Sequence, residues 1–433
     1  MTAAPGAAVR LVGASARLGL LVCLLAAIAA AQWVRADAGT PITLAAGALL
    51  LCALFAGTLA GELGLPRLSG YLLIGIVIGP HGLDFIPREG VAGLDLVKGL
   101  AVSLIAFTAG AELRLAFVRR AGLRVLGLAG ALSGAVFATS AGALLALRPF
   151  LPFLRDLPLS QAVALAALAA TVMVSFSPTV TIAIIQETRA RGPLAELLMA
   201  LVILGDLVVM LAFAVAAGWA RASFGGPLDV AGLAGGVGWE LFGSLAIGAA
   251  AGLGTTLYLR WVDRELPIFV CAVAFASAEL GAELHLSPLL LSLAAGAAVV
   301  NLDPAQCAKL KGALERASMP VLALFFAGAG AGLNLSALRV VGPVALALGA
   351  LRASTIYGTT WLFDRGEPRS SSRFAWMGLV SQAGVTIGLA ALVRRTFPAG
   401  GAEIEALVLA LVALNQLVGP VLTRKALDRA GEI

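Results

Sequence analysis

The sequence predicts an all-α polytopic membrane protein of about 14 transmembrane helices, built as two inverted six-helix repeats with crossed unwound helices. Three observations carry this reading. The chain is 60% hydrophobic and 12% charged, with a mean hydropathy of +0.99, and a soluble protein would carry roughly twice that charge. Its apolar runs recur at the length of about 20 residues that a membrane-crossing helix needs. One segment echoes another about half a chain away, an odd number of spans later.

The runs fall at approximately 18–34, 42–60, 67–80, 94–113, 121–147, 160–187, 194–218, 230–259, 266–282, 286–301, 317–333, 337–361, 374–395 and 403–423. The first follows Arg10 and Arg17 and ends in Ala29-Ala-Ala-Gln32, a pattern shared with cleaved signal peptides. Its near-span length favours a retained helix; cleavage would leave 13. The third and tenth are short and flanked by Gly or Pro. Loops are short, so no soluble domain is expected between spans or after Ile433. Most of the 30 Lys and Arg lie at the termini and after even-numbered spans, with a dense cluster at Arg119-Arg120. By the positive-inside rule both termini are cytoplasmic.

This placement of the basic residues in loops removes any reason to read the net charge of +6 as a nucleic-acid signal. Cys23, Cys52, Cys271 and Cys307 are scattered, with no metal-ligand spacing and no disulfide framework. His81 and His285 sit at span ends, as interfacial residues do. No cofactor is expected, and no nucleophile–base pair in the spans suggests an enzyme.

An internal repeat is visible in the chain itself. Thr108-Ala-Gly-Ala-Glu-Leu-Arg-Leu-Ala-Phe-Val-Arg119 matches Gly328-Ala-Gly-Ala-Gly-Leu-Asn-Leu-Ser-Ala-Leu-Arg339 at six of twelve positions. A weaker echo pairs Leu68-Ser69 and Leu72-Leu73 with Leu286-Ser287 and Leu290-Leu291, at nearly the same offset. The shift maps the fourth span onto the eleventh and the third onto the tenth. Seven spans is an odd number, so the second copy enters the membrane upside down, as in the inverted repeats of secondary transporters.

The sixth span contains a hydroxyl-rich break, Ser175-Phe-Ser177-Pro178-Thr179-Val-Thr181. Pro178 lacks a backbone donor and frees a carbonyl about four residues earlier. Such backbone is tolerated in a membrane only where protein or a water-filled cavity satisfies it. The repeat then demands a partner break in the thirteenth span. Ser381-Gln382-Ala383-Gly384-Val385-Thr386 supplies one, polar and glycine-bearing.

In the seventh span Asp206 stands alone at mid-depth, beside Gly205, which leaves space next to it. A carboxylate there is costly, so such residues face a polar cavity and serve an ion or proton path. Ser177, Thr179 and Thr181 are candidate ligands, although their hydroxyls also suit bonds back to their own helix. Arg352 is the one strong base in the middle of a span. It needs a carboxylate or helix C-terminal carbonyls, and a structural role at the broken helices is the reading preferred for it. Lys98 sits near a helix start, where it snorkels. Glu112 and Glu279, near span ends, are interfacial or line an entrance.

The run Leu65-Pro-Arg-Leu-Ser-Gly-Tyr-Leu-Leu-Ile-Gly-Ile-Val-Ile-Gly-Pro-His-Gly-Leu83 resembles the signature of monovalent cation:proton antiporters of the sodium/hydrogen exchanger type. Phe107-Thr-Ala-Gly-Ala-Glu-Leu113, Ser177-Pro-Thr-Val, Pro320 through Phe325-Phe326 to Gly332-Leu, and Ser381-Gln-Ala-Gly-Val-Thr386 follow in the family's order. The resemblance covers about residues 42–423. It implies a homodimer with scaffold and dimer helices at 42–113 and 266–333 and mobile core helices at 121–219 and 337–423. A linker helix at 230–259 joins the repeats, with an extra helix in 1–41 and a cytoplasmic tail at 424–433. It implies a multi-pass protein of the bacterial inner membrane. It also implies that Asp206 matches the family's ion-binding aspartate and Arg352 its basic core residue. Gly205 departs from the polar residue that often precedes the aspartate in relatives. The glutamate of some relatives' fourth helix is absent as well; Thr108 or its neighbours stand there.

The function expected is antiport of Na+ or K+ against protons, electroneutral and of the elevator type, with Asp206 shared by proton and cation. Hydroxyls of Ser177, Thr179 or Thr181 and freed backbone carbonyls are expected to complete the cation's oxygen shell. Ser175, Pro178, Gln382, Gly384 and Thr386 mark the unwound helices. Two alternatives are a sodium-coupled organic anion symporter and a non-transporting membrane sensor on the same scaffold.

Overall fold

The computed structural model describes residues 42–86, 95–113, 115–225, 238–332, 335–364, 371–397 and 400–433, with single glycines at 19, 232, 235 and 236. The first predicted span, Cys23 and the start of the eighth span lie outside the described residues, as do the side chains of Lys98, Glu112 and Arg119-Arg120. Every regular element among the described residues is helical. They are α1 (Ile42–Glu62), α2 (Arg67–Ile78), α3 (Asp95–Glu112), α4 (Leu115–Ala146), α5 (Leu159–Val174), α6 (Pro178–Thr188) and α7 (Pro193–Ser223). Then come α8 (Ser244–Trp261), α9 (Leu266–Glu283), α10 (Pro288–Leu302), α11 (Pro304–Ala331), α12 (Leu335–Asp364), α13 (Gly384–Thr396) and α14 (Gly401–Ala430). A one-turn helix, Ala375–Gly378, precedes α13. Six helical stretches among the described residues are long and apolar enough to cross a membrane.

Three helices outrun their apolar runs by six residues or more, among them α14, expected to end at 423 with a tail after it but helical to Ala430. The fifth span was expected from 121, but α4 starts at Leu115; the eleventh was expected from 317, but α11 starts at Pro304. Hydropathy finds the stretch that suits lipid, whereas a helix carrying Lys309, Lys311 and Arg316 continues past it. Asp303 starts α11 by accepting the Gln306 N–H at 3.2 Å, with Pro304 in the first helical position.

The sixth and thirteenth spans are each split. Ser175 turns extended after α5, and Ser177 caps α6, its hydroxyl accepting the Val180 N–H at 3.2 Å with Pro178 next in line. This is the Ser-Pro arrangement that starts helices. In the thirteenth span, residues 379–383 are non-helical and α13 begins at Gly384.

The chain forms two compact units, one from Met1–Val102 and Gly312–Leu333, the other from Ser103–Lys311 and Asn334–Ile433. The boundary falls within α3 and within α11. In the first unit, α2 and α11 touch backbone to backbone. A Cβ on Gly75 would lie 2.0 Å from the Ala327 carbonyl oxygen, and one on Gly330 would lie 2.2 Å from that of Leu72. In the second unit, α3 and α10 do the same. A Cβ on Gly110 would lie 2.0 Å from the Leu293 oxygen, and one on Gly296 2.1 Å from that of Phe107. Small residues of this kind are what lets helices approach in a membrane. The contacts correspond: Leu72 and Gly75 precede Leu293 and Gly296 by 221 residues, three on from the register of the Leu72–Leu290 echo, and Phe107 and Gly110 precede Ala327 and Gly330 by 220.

The second unit has one large core. Leu165, Leu168 and Val172 of α5 pack with Leu348 of α12 and Leu407 and Leu411 of α14. From Ala162 to Val174 α5 is buried at every position but Val163, as expected of a helix apolar all round. At the other end of the sequence, Glu432 reaches the start of α7. Its carboxylate accepts the Leu194 and Ala195 N–H groups at 2.7 and 2.8 Å. Gly192, the residue in the capping position, has no side chain to do so.

Candidate functional site

The site lies in the second unit, where the two breaks meet. The Ser177 N–H donates to the Ser381 carbonyl at 3.0 Å, and the Thr181 hydroxyl donates to the Gly378 carbonyl at 3.1 Å. Unwinding leaves carbonyls at the C-terminal ends of α5 and of Ala375–Gly378. In a dry interior each unmet one costs about 1–3 kcal/mol.

Arg352 of α12 meets them. It is 1% exposed. Nε donates to the Met173 carbonyl at 2.9 Å, Nη1 to Val380 at 2.8 Å, and Nη2 to Ser175 at 2.9 Å and Leu379 at 3.3 Å. Guanidinium suits this task because its donors form a fixed planar fork, and its charge complements the negative ends of both half-helices. Gln382 adds a second clasp, its Nε2 donating to Met173 at 2.9 Å and Ser175 at 3.2 Å. Asn415 of α14 orients Gln382 by donating from Nδ2 to its Oε1 at 2.8 Å.

Asp206 is buried in mid-α7, 3% exposed, and its Oδ1 has no hydrogen-bond partner. The Ser175 hydroxyl donates to the Phe176 carbonyl at 3.3 Å. Gly205 does not leave open space beside Asp206. A Cβ there would lie 2.6 Å from Cδ2 of Phe176, so the ring occupies the room that the glycine provides. Arg352 Cζ stands 5.4 Å from the centroid of that ring.

Of the expected ligands, Ser177 caps α6 and sits 3.1 Å from the Thr179 hydroxyl, and Thr181 is bound to Gly378. The carbonyls of Met173, Ser175, Leu379 and Val380 are taken by Arg352 and Gln382. Buried oxygens without a partner include Asp206 Oδ1 and, on the second break and α14, Ser381 Oγ, Thr386 Oγ1 and Gln416 Oε1. Sequence reasoning placed Ser175, Gln382, Thr386 and Arg352 at the breaks but missed Asn415, Gln416 and Phe176. The polar pair Asn415-Gln416 in the middle of an apolar helix was the available signal; Phe176 gave none. Chemically, the unit offers one buried carboxylate with an unpartnered oxygen and several buried neutral oxygens, groups suited to holding a proton or a weakly bound monovalent cation.

A family model described as "Sodium/hydrogen exchanger, transmembrane" matches residues 49–425. Among solved structures, the chain is similar to the sodium proton antiporter MjNhaP1 from Methanocaldococcus jannaschii at pH 8. The TM-score is 0.65 at 16% identity, covering 89% of this chain and 96% of that one. An electron-microscopy map of the same antiporter gives a TM-score of 0.64 at 16% identity, covering 89% and 93%. With the family model spanning nearly all of the described helices, the chain belongs to the transmembrane sodium/hydrogen exchanger family.

Proposed function

We propose that this chain exchanges a monovalent cation, Na+ or K+, for a proton, and that both use Asp206. The observation that carries the reading is the buried carboxylate with Oδ1 unpartnered, in the same unit as an arginine whose hydrogen bonds all go to backbone carbonyls. A bare carboxylate at this depth is expensive. A proton or a small cation neutralises it, and one charge holds only one of them. Cation entry therefore expels the proton, and protonation expels the cation. The Ser175 hydroxyl and neighbouring neutral oxygens, with Ser177, Thr179 or Thr181 as further donors, complete the shell.

The core helices carry the site from one face of the membrane to the other, elevator fashion, and move only when Asp206 is neutralised. With a single exchangeable charge, the cycle is electroneutral. The two inverted repeats are supported by the sequence echo and by the matched glycine contacts of α2 with α11 and of α10 with α3. A homodimer in a bacterial inner membrane, both termini cytoplasmic, completes the reading, and the distribution of Lys and Arg supports that orientation.

The test is Asp206→Asn in proteoliposomes. The variant keeps the shape but cannot ionise, so cation-triggered proton flux should vanish while the melting temperature holds. Robust exchange by the variant would contradict the proposal.

A further inference from the structure

We infer that the helix carrying Asp206 is seated on both broken spans at two glycines, and that this seat, Phe176 against Gly205 and Leu198 against Gly378, sets the size of cation the site prefers. This rests on the reading of Asp206 as the shared site, with oxygens of the breaks completing the shell. The two breaks hold each other: the Ser177 N–H donates to the Ser381 carbonyl and the Thr181 hydroxyl to the Gly378 carbonyl. α7 meets them twice, each time where a side chain is missing. Gly205 of α7 faces Phe176 of the first break, and a Cβ there would lie 2.6 Å from Cδ2 and 3.2 Å from Cε2. Gly378, just before the second break, faces Leu198 of α7, and a Cβ there would lie 2.7 Å from both δ carbons. Leu198 and Gly205 stand at an i, i+7 spacing, which puts them on one face of α7. Asp206 is the next residue.

Neither contact has slack. Phe176 is 1% exposed and Leu198 0%. The Phe176 ring also carries the Arg352 guanidinium, with Cζ 5.4 Å from its centroid, a cation–π distance. That guanidinium is tied to four carbonyls, so the ring is not free to swing aside. A methyl added at either glycine therefore displaces α7 from the breaks, and Asp206 moves with it. Cations of different size are told apart by the dimensions and rigidity of the oxygen cage. A carboxylate carried further from the other oxygens suits a larger ion.

The test uses the purified full-length chain in proteoliposomes, with sodium and potassium each as the trigger of proton flux. Each preparation gives a ratio of the two half-saturating concentrations, from which the fraction of active protein cancels. Gly205→Ala and Gly378→Ala should each lower the potassium value relative to the sodium value by about tenfold, inside the roughly hundredfold that a misplacement of about 1 Å can cost. Gly205→Ala combined with Phe176→Val lacks the ring atoms Cδ2 and Cε2, and Gly378→Ala combined with Leu198→Ala lacks both δ carbons. These double variants should return toward the parent ratio. Where a single variant is not recovered folded, folded exchange by its double variant is the expected result. An unchanged ratio in the folded single variants, or no return in the double variants, would overturn the seat. Exchange by Asp206→Asn would instead remove the shared-site reading beneath it.

Discussion

The backbone N–H of Ser177 donates to the carbonyl of Ser381 at 3.0 Å, joining the two broken helices at the points where each is unwound. Breaking two helices in a membrane is costly unless each freed group finds a partner. Here the freed carbonyls are met by Arg352, Gln382 and Thr181, and Asn415 holds Gln382 in place.

Arg352→Ala should therefore act on stability first. The Val380 and Leu379 carbonyls lose the donor that Arg352 gives them, and each buried carbonyl left unmet costs about 1–3 kcal/mol. Thermal melts in detergent should show a large drop, with Arg352→Lys between parent and Ala because it keeps charge but not the planar fork. A variant that melts like the parent and only exchanges poorly would argue against the structural role.

Asn415→Leu leaves the Gln382 Oε1 without its donor. The expected loss is about 1–3 kcal/mol, accompanied by slower exchange, since Gln382 also holds the carbonyl of Ser175. Melting and flux measured on one preparation check both effects. An unchanged pair of values would mean that Gln382 is oriented by something else.

Glu432→Ala removes the acceptor of two N–H groups at the start of the Asp206 helix. Losing such a cap costs about 0.5–2 kcal/mol. The melting temperature should fall, while the half-saturating cation concentration stays put, because the cap lies more than three turns from Asp206 along α7. A shifted cation requirement would show that the tail reaches the site.

One-for-one exchange moves no net charge. An imposed membrane potential should then leave cation-triggered proton flux unchanged in proteoliposomes made permeable to a second ion. Acceleration by voltage would sink the single-charge stoichiometry and leave the identity of the site intact.

How much of this was legible in the sequence depends on how local each cause is. The break at Ser177-Pro178 was readable, because a capping serine followed by proline fixes a helix start within four residues. Arg352 was readable as well: a guanidinium in an apolar span must find carbonyls or a carboxylate. The start of α11 was not, since hydropathy is blind to a helix that continues into water through Lys309 and Lys311. Gly205 was noticed, but its meaning was inverted. Whether a missing Cβ leaves space or admits a ring depends on Phe176, which packs there only after the break has formed. The clasp of Glu432 on α7 joins the two ends of the core sequence, and no local pattern announces it.

The most direct measurement is proton release from the purified protein in a weakly buffered detergent solution when sodium or potassium is added. If Asp206 holds either a proton or a cation, the parent should release about one proton per chain as the cation binds, as linkage at a single carboxylate requires, and Asp206→Asn should release none. No release from the parent with either cation, or equal release from the Asn variant, would contradict the claim that the two ions share this carboxylate.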